Sequence, residues 1–300
     1  MKIRFRRVLL LSLLAVATPP YGCAASDAGS SAPDSVTKHE LRYRLPQGTR
    51  FELDMVADQD IKQATPERDA SAKIHHRRLF DATVQSATPD GLDIRFEYKE
   101  RSYVSDNPAF GDTADFSQLI GKQVEVLVAP AGKVSSFRGF LALPEVALVK
   151  ERRTMTRQDY VNDFVAVFPE LPNAPVGVGD SWNYTTQVYE RFVAGQIGIT
   201  IDMEYTVMAD TVTAGLKCFK CLGKYTVKGR GQGIDEGSGI RLDVDLSGSG
   251  TDTMYFAYEK GMFLGSQSRM VIKGTASNMP LRFATNLEYD TRPVVRVKLK

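Results

Sequence analysis

The sequence predicts a mainly β protein, a curved antiparallel sheet or open β-barrel with one central lid helix. Three observations carry this. Beyond residue 38, apolar and polar residues alternate along most of the chain, the period of a strand with one buried face. The alternating runs are separated by turn chemistry such as Thr88-Pro89-Asp90-Gly91 and Pro130-Ala131-Gly132, where proline presets φ and glycine accepts positive φ. Helical spacing is concentrated in the middle of the chain. The 300 residues, 43% hydrophobic and 25% charged, have the composition of a globular protein.

Residues 1–25 read as an export signal. MKIRFRR is a basic leader, and Val8–Ala17 is an apolar core too short to span a bilayer. Gly22-Cys23-Ala24 resembles a bacterial lipobox, which would make Cys23 the lipidated N-terminus. Pro20 and Tyr21 depart from the usual pattern, and ordinary cleavage after Ala24 or Ala25 is the rival reading. Without the four cations of residues 1–22, the chain keeps 34 basic against 36 acidic residues. That balance argues against a nucleic-acid partner. Residues 26–38 (SDAGSSAPDSVTK) form a flexible tether with an expected end-to-end distance of about 20 Å.

Residues 39–300 are read as a single β-rich domain of two similar meanders. In the first, Leu41, Tyr43 and Leu45 alternate up to the turn at Pro46-Gln47-Gly48, and Phe51, Leu53 and Met55 continue. Phe80, Ala82 and Val84 return as Leu92, Ile94, Phe96 and Tyr98. A short helix over Asp115–Ile120 is closed by Gly121. Val124, Val126 and Val128 then lead into the turn before Val134.

A helix and Pro-rich crossover, about 144–180, join the halves. Pro144–Arg153 reads as a turn of helix. Thr156 and Asp159 resemble a capping box, after which Tyr160, Val161, Phe164, Val165 and Phe168 follow helical spacing up to Pro169. That apolar stripe is expected to lie on the sheet's concave face. Three prolines between Phe168 and Trp182 exclude helix and central strand.

The second meander starts at Trp182 and Tyr184. It continues through Ile197–Tyr205, then Ile240, Leu242, Val244 and Leu246, with Arg241, Asp243 and Asp245 outward. Its hairpin Met254–Leu264 is apolar on both faces, as a strand is when covered on both sides or lining a cavity. Leu281, Phe283, Leu287 and Tyr289 suggest a last strand.

Catalytic and metal motifs do not stand out. His75-His76 lies among Lys73, Arg77 and Arg78, where cation repulsion opposes a metal, so no metal site or cofactor is expected. Asp243-Val-Asp245 mimics the start of a calcium loop, but Met254 occupies the position of its essential Glu. Cys218 and Cys221 read first as a local disulfide, then as two unpaired packing residues, and last as a redox or metal pair.

The run Phe168-Pro169-Glu170-Leu171-Pro172 through Val176, Gly179, Asp180 and Trp182 resembles the FP-x-LP…V-x-x-G-D-x-W segment of an uncharacterised family of bacterial exported β-rich proteins and lipoproteins. GTRFEL (48–53) and LIGKQVEVLVAPAGKV (119–134) are similar to that family too, so the resemblance covers most of 39–290. It implies no established activity and supplies no catalytic residues. A curved sheet with an inserted helix is also similar in architecture to the lipoprotein-carrier half-barrels of the bacterial envelope.

The expected function is that of a non-catalytic envelope protein, tethered to the outer membrane through lipid if Cys23 is modified, given Ala24 after it, and otherwise soluble in the periplasm or secreted. Its concave apolar face would bind a lipid or other hydrophobic small molecule, with Phe164, Trp182, Tyr255, Phe256, Tyr258 and Phe263 as lining residues. The alternative is an envelope scaffold or protein-interaction module with a fully packed interior.

Overall fold

The computed structural model describes residues 37–65, 69–107, 114–148, 153–155, 157–165, 167–192, 195–235, 240–278, 280 and 283–300. The expected export signal, Cys23, residues 26–36 of the tether, Thr156 of the expected capping box and Leu281 lie outside them. The first half holds β1 (Arg50–Ala64), β2 (Asp69–Thr88), β3 (Gly91–Ser105), β4 (Gln123–Val128) and β5 (Val134–Arg138). After a small ladder of β6 (Ala147–Leu148) and β7 (Arg153–Thr154) comes the helix α1 (Arg157–Val165). The second half holds β8 (Ser181–Phe192), β9 (Gly195–Thr213), β10 (Leu216–Asp235), β11 (Ile240–Ala257), β12 (Met262–Asn278) and β13 (Phe283–Leu299).

Eleven of these strands make one curved, unclosed antiparallel sheet in the order β5-β4-β3-β2-β1-β13-β12-β11-β10-β9-β8. The halves join where β1 pairs with β13, from Phe51 opposite Leu299 to Ala64 opposite Asn286. The alternation in the sequence becomes the two faces of the sheet. Phe51, Leu53 and Met55, Phe80, Ala82 and Val84, and Leu242, Val244 and Leu246 are buried, while Arg241, Asp243 and Asp245 are exposed. A slip of one residue would turn each such set toward water, so the core fixes the register.

Two elements differ from the sequence expectation. The segment read as a helical turn over Pro144–Arg153 instead carries the β6–β7 ladder, with Ala147 opposite Thr154. Pro144 at its start and the β-branched Val146 suit extended chain better than helix. The short helix expected at Asp115–Ile120 is a single 3-10 turn, Ser117–Leu119. The central helix is present, though Phe168 falls beyond its end.

Helix α1 lies across the opening of the sheet and touches both edge strands, β5 and β8. Its Phe164 ring sits 5.1 Å from Phe80 and 5.0 Å from Phe96. Beside it, Asp163 meets Arg78 on β2 at 2.7 Å and also pairs with Arg101 on β3. Asn162 donates to the backbone carbonyl of Tyr189 on the edge strand β8 at 2.9 Å. An edge carbonyl that would otherwise face water is thereby capped by the helix.

Residues 37–49 cross one end of the sheet. His39 bridges to Val176, Tyr43 N–H donates to Pro130 O, and Arg44 N–H donates to Gly261 O. This crossing accounts for the doubly apolar β11–β12 hairpin. Tyr43 packs edge-on against Phe256 with ring centroids 5.4 Å apart, and His39 stacks on Tyr258 at 4.0 Å.

Candidate functional site

A cavity of about 430 Å³ lies between the concave face of the second half and the crossover that follows α1. Val165, Val167, Phe168 and Pro169 roof it, and Gly132–Val134 of the β4–β5 turn close one side. The turn and the roof touch at Gly132. Its φ of +98° is available to glycine, and a Cβ there would lie 2.3 Å from the carbonyl oxygen of Pro169. The floor is mostly apolar, with Val188, Ile201, Met203, Met270 and Val295.

A polar row is set into that floor. Tyr205 on β9, Gly223 on β10, Asp252 on β11 and Ser268 on β12 stand opposite one another across four neighbouring strands. Tyr205 donates to Asp252 Oδ2 at 2.5 Å, reaching over β10. Gly223 makes room for this, since a Cβ there would come within 2.8 Å of the Tyr205 ring. Ser268 donates to Asp252 Oδ1 at 3.1 Å. Because the Ser268 proton is committed there, the 2.7 Å bond between Ser268 and Tyr225 has the tyrosine hydroxyl as its donor.

Two hydroxyl protons, those of Tyr205 and Ser268, thus point at one carboxylate that is 2% exposed, with Tyr225 behind Ser268. Burial pushes the Asp252 carboxyl up to about 6, while the hydroxyls of Tyr205, Ser268 and Tyr225 and the Thr253 backbone hold it down. The Tyr205 hydroxyl is itself pushed well up, first by burial and then by Asp252, so it remains a donor. Among the described residues no cation forms an ion pair with Asp252. On β8, Trp182 stacks on Tyr205 at 5.4 Å and Tyr184 at 6.1 Å, both nearly parallel. Trp182 Nε1–H donates to Glu170 O at 2.9 Å, which fixes the crossover above the row.

None of the six aromatic residues expected to line a ligand site is among the residues lining this cavity. Phe164, Trp182, Phe256, Tyr258 and Phe263 belong to the main core, and Tyr255 is half-buried. The cavity opens further along the strands than the aromatic hairpin, whose end is filled by Tyr43 and His39. The signal for Asp252 was nevertheless in the sequence. It falls in phase with the inward-facing Leu242, Val244, Leu246 and Met254, an acid on an apolar face.

Cys218 and Cys221 are two buried free thiols and not a disulfide. Residues three apart on an extended strand are separated by about 10 Å, beyond the roughly 7 Å that a bridge can span. Burial pushes the Cys221 thiol up to about 12 and raises that of Cys218 as well. His76, which faces Gln59 at 3.3 Å, is held well below the usual imidazole range by burial and by Arg78 and Arg101.

No family model and no curated protein matches the chain. Among solved structures, it is similar to a domain assigned to outer membrane lipoprotein sorting in Vibrio parahaemolyticus. That likeness has 9% identity, covers 82% of this chain and 85% of the other, and has a TM-score of 0.18. At that score it carries no inference about the site.

Proposed function

We propose that the protein is a non-catalytic component of the bacterial cell envelope that holds a lipid or another hydrophobic molecule in the cavity of its half-barrel. The observation that supports this reading most is the cavity itself. Its 430 Å³ falls within the range of small-molecule sites, which are concave, mainly apolar and carry a few fixed polar groups. In this reading the basic leader and apolar core of residues 1–25 export the chain. Cys23 then anchors it through lipid, and the following spacer holds the domain clear of the membrane surface. The alternative, a scaffold with a packed interior, draws on the expected lining aromatics, all of which but Tyr255 are core residues.

Native mass spectrometry of the full chain, purified without detergent after incubation with envelope lipids, tests the reading. Discrete adducts of lipid mass are expected, and Met203→Trp, which fills the cavity, is expected to remove them. A clean apo mass for both proteins would overturn ligand binding in favour of the scaffold.

A further inference from the structure

The polar row in the cavity floor is more specific than a hydrophobic pocket requires. An apolar cargo alone is served best by apolar walls, and an ionised carboxylate out of water is strongly disfavoured unless it is compensated. Here the compensation comes from neutral donors: Tyr205 on one oxygen, and Ser268, backed by Tyr225, on the other. With the Thr253 backbone N–H these donors fill much of the carboxylate's acceptor capacity, but all of them are neutral, so the negative charge itself has no counter-charge. The other charged groups lining the cavity are Lys133 and Glu170, which offset each other and leave Asp252 as the excess charge. Around Asp252, Tyr184, Tyr205 and Tyr225 line the cavity. Aromatic residues beside a carboxylate are surroundings that attract an organic cation.

We propose that Asp252, Tyr184, Tyr205 and Tyr225 form a recognition site for the ammonium group of an amphiphilic amine, whose chain lies against Ile201, Met203 and Met270. This rests on the ligand-binding reading above and names the chemistry of its ligand. The ammonium group would supply the missing counter-charge to Asp252, while an anionic head would meet an uncompensated like charge. The same chemistry is offered by a free alkylamine and by the headgroup of an ethanolamine lipid.

The experiment is a titration of the full chain at pH 7.5, followed by Trp182 fluorescence. The ligands are decylammonium, decanol and decanoate, each below its micelle concentration, with a lysophosphatidylethanolamine as a fourth. Decylammonium is expected to bind at least tenfold more tightly than decanol, and decanoate more weakly than either. Asp252→Asn is expected to abolish the preference while leaving decanol binding in place. Tyr184→Leu, at a half-buried position, is expected to reduce the preference without removing the carboxylate. Binding of the lysolipid with the same dependence on Asp252 would identify the headgroup as the source, and its failure beside tight decylammonium binding would identify a free amine. Equal binding of the three decyl compounds, or a preference for decanoate, would overturn the ammonium site and leave the hydrophobic cavity standing. Binding of none would overturn both.

Discussion

Tyr205 on β9 and Asp252 on β11 are hydrogen-bonded at 2.5 Å although a whole strand separates them. The residue between them in register on both sides is Gly223. A side chain at that position would occupy the space through which the tyrosine leans. The row therefore depends on a missing side chain as much as on those present.

Gly223→Ala is accordingly expected to destabilise the protein by about 1–3 kcal/mol, the usual cost of overpacking a filled interior. The Tyr205 ring cannot yield easily, because Trp182 and Tyr184 stack against it. Tyr205→Phe in the same background is expected to cost much less than it does alone, since both changes break one bond. Urea unfolding of the four proteins in the cycle checks this. Strict additivity would show that the glycine does not serve the Tyr205–Asp252 contact.

The Asp252 carboxyl also makes a specific contribution to pH dependence. Its pKa in the folded protein is pushed up to about 6, above the roughly 3.9 of an unfolded chain. Between those values the unfolded state releases its proton while the folded state keeps it. Stability therefore falls as pH rises through this window and levels off above it, by about 3 kcal/mol in all. The difference in unfolding free energy between the wild type and Asp252→Asn, measured from pH 4 to pH 7, should show this slope. A difference independent of pH would contradict it.

Asp163 joins the helix to the sheet through Arg78 and Arg101, with all three side chains largely buried. Removing the acid leaves two buried cations without their partner. Asp163→Ala is expected to cost about 3–5 kcal/mol, as breaking a buried ion pair does. Chemical denaturation measures the loss directly. A change below about 0.5 kcal/mol would mean that the helix is held by its apolar packing and by Tyr160 and Asn162 rather than by the ion pairs.

In the native protein with Cys23 replaced by serine, Cys218 and Cys221 are expected to be inert to a thiol reagent, because burial raises both pKa values. Denaturant without reductant is expected to release two reactive thiols. Finding none would restore the disulfide.

The fold was legible in the sequence because strand alternation and turn residues are local signals. The turns at Thr88–Gly91, Pro130–Gly132 and Glu259–Gly261 lie where the sheet reverses. The pairing of β1 with β13 was not legible, because it joins residues more than two hundred positions apart and leaves no local trace. The aromatic hairpin reads as a ligand-lining face in sequence for a related reason. Aromatic residues apolar on both faces mark a strand covered on both sides, and only the folded chain shows that residues 39–45 provide the cover. Asp252 carried a readable signal in its phase with Leu246 and Met254, but the exposed Asp243 and Asp245 are more conspicuous in sequence. On a strand the i, i+3 spacing of Cys218 and Cys221 holds the two too far apart for a bridge, a consequence of strand geometry that the Cys-x-x-Cys pattern alone does not show.

The most direct test of a ligand-holding cavity is a crystal structure of the protein with a decyl chain brominated at its terminus, recorded at the bromine absorption edge. The account predicts one anomalous peak in the cavity beside Met203 and Met270, with the polar end of the ligand against Asp252. A bromine peak only on the outer surface, or an empty cavity at saturating ligand, would contradict it.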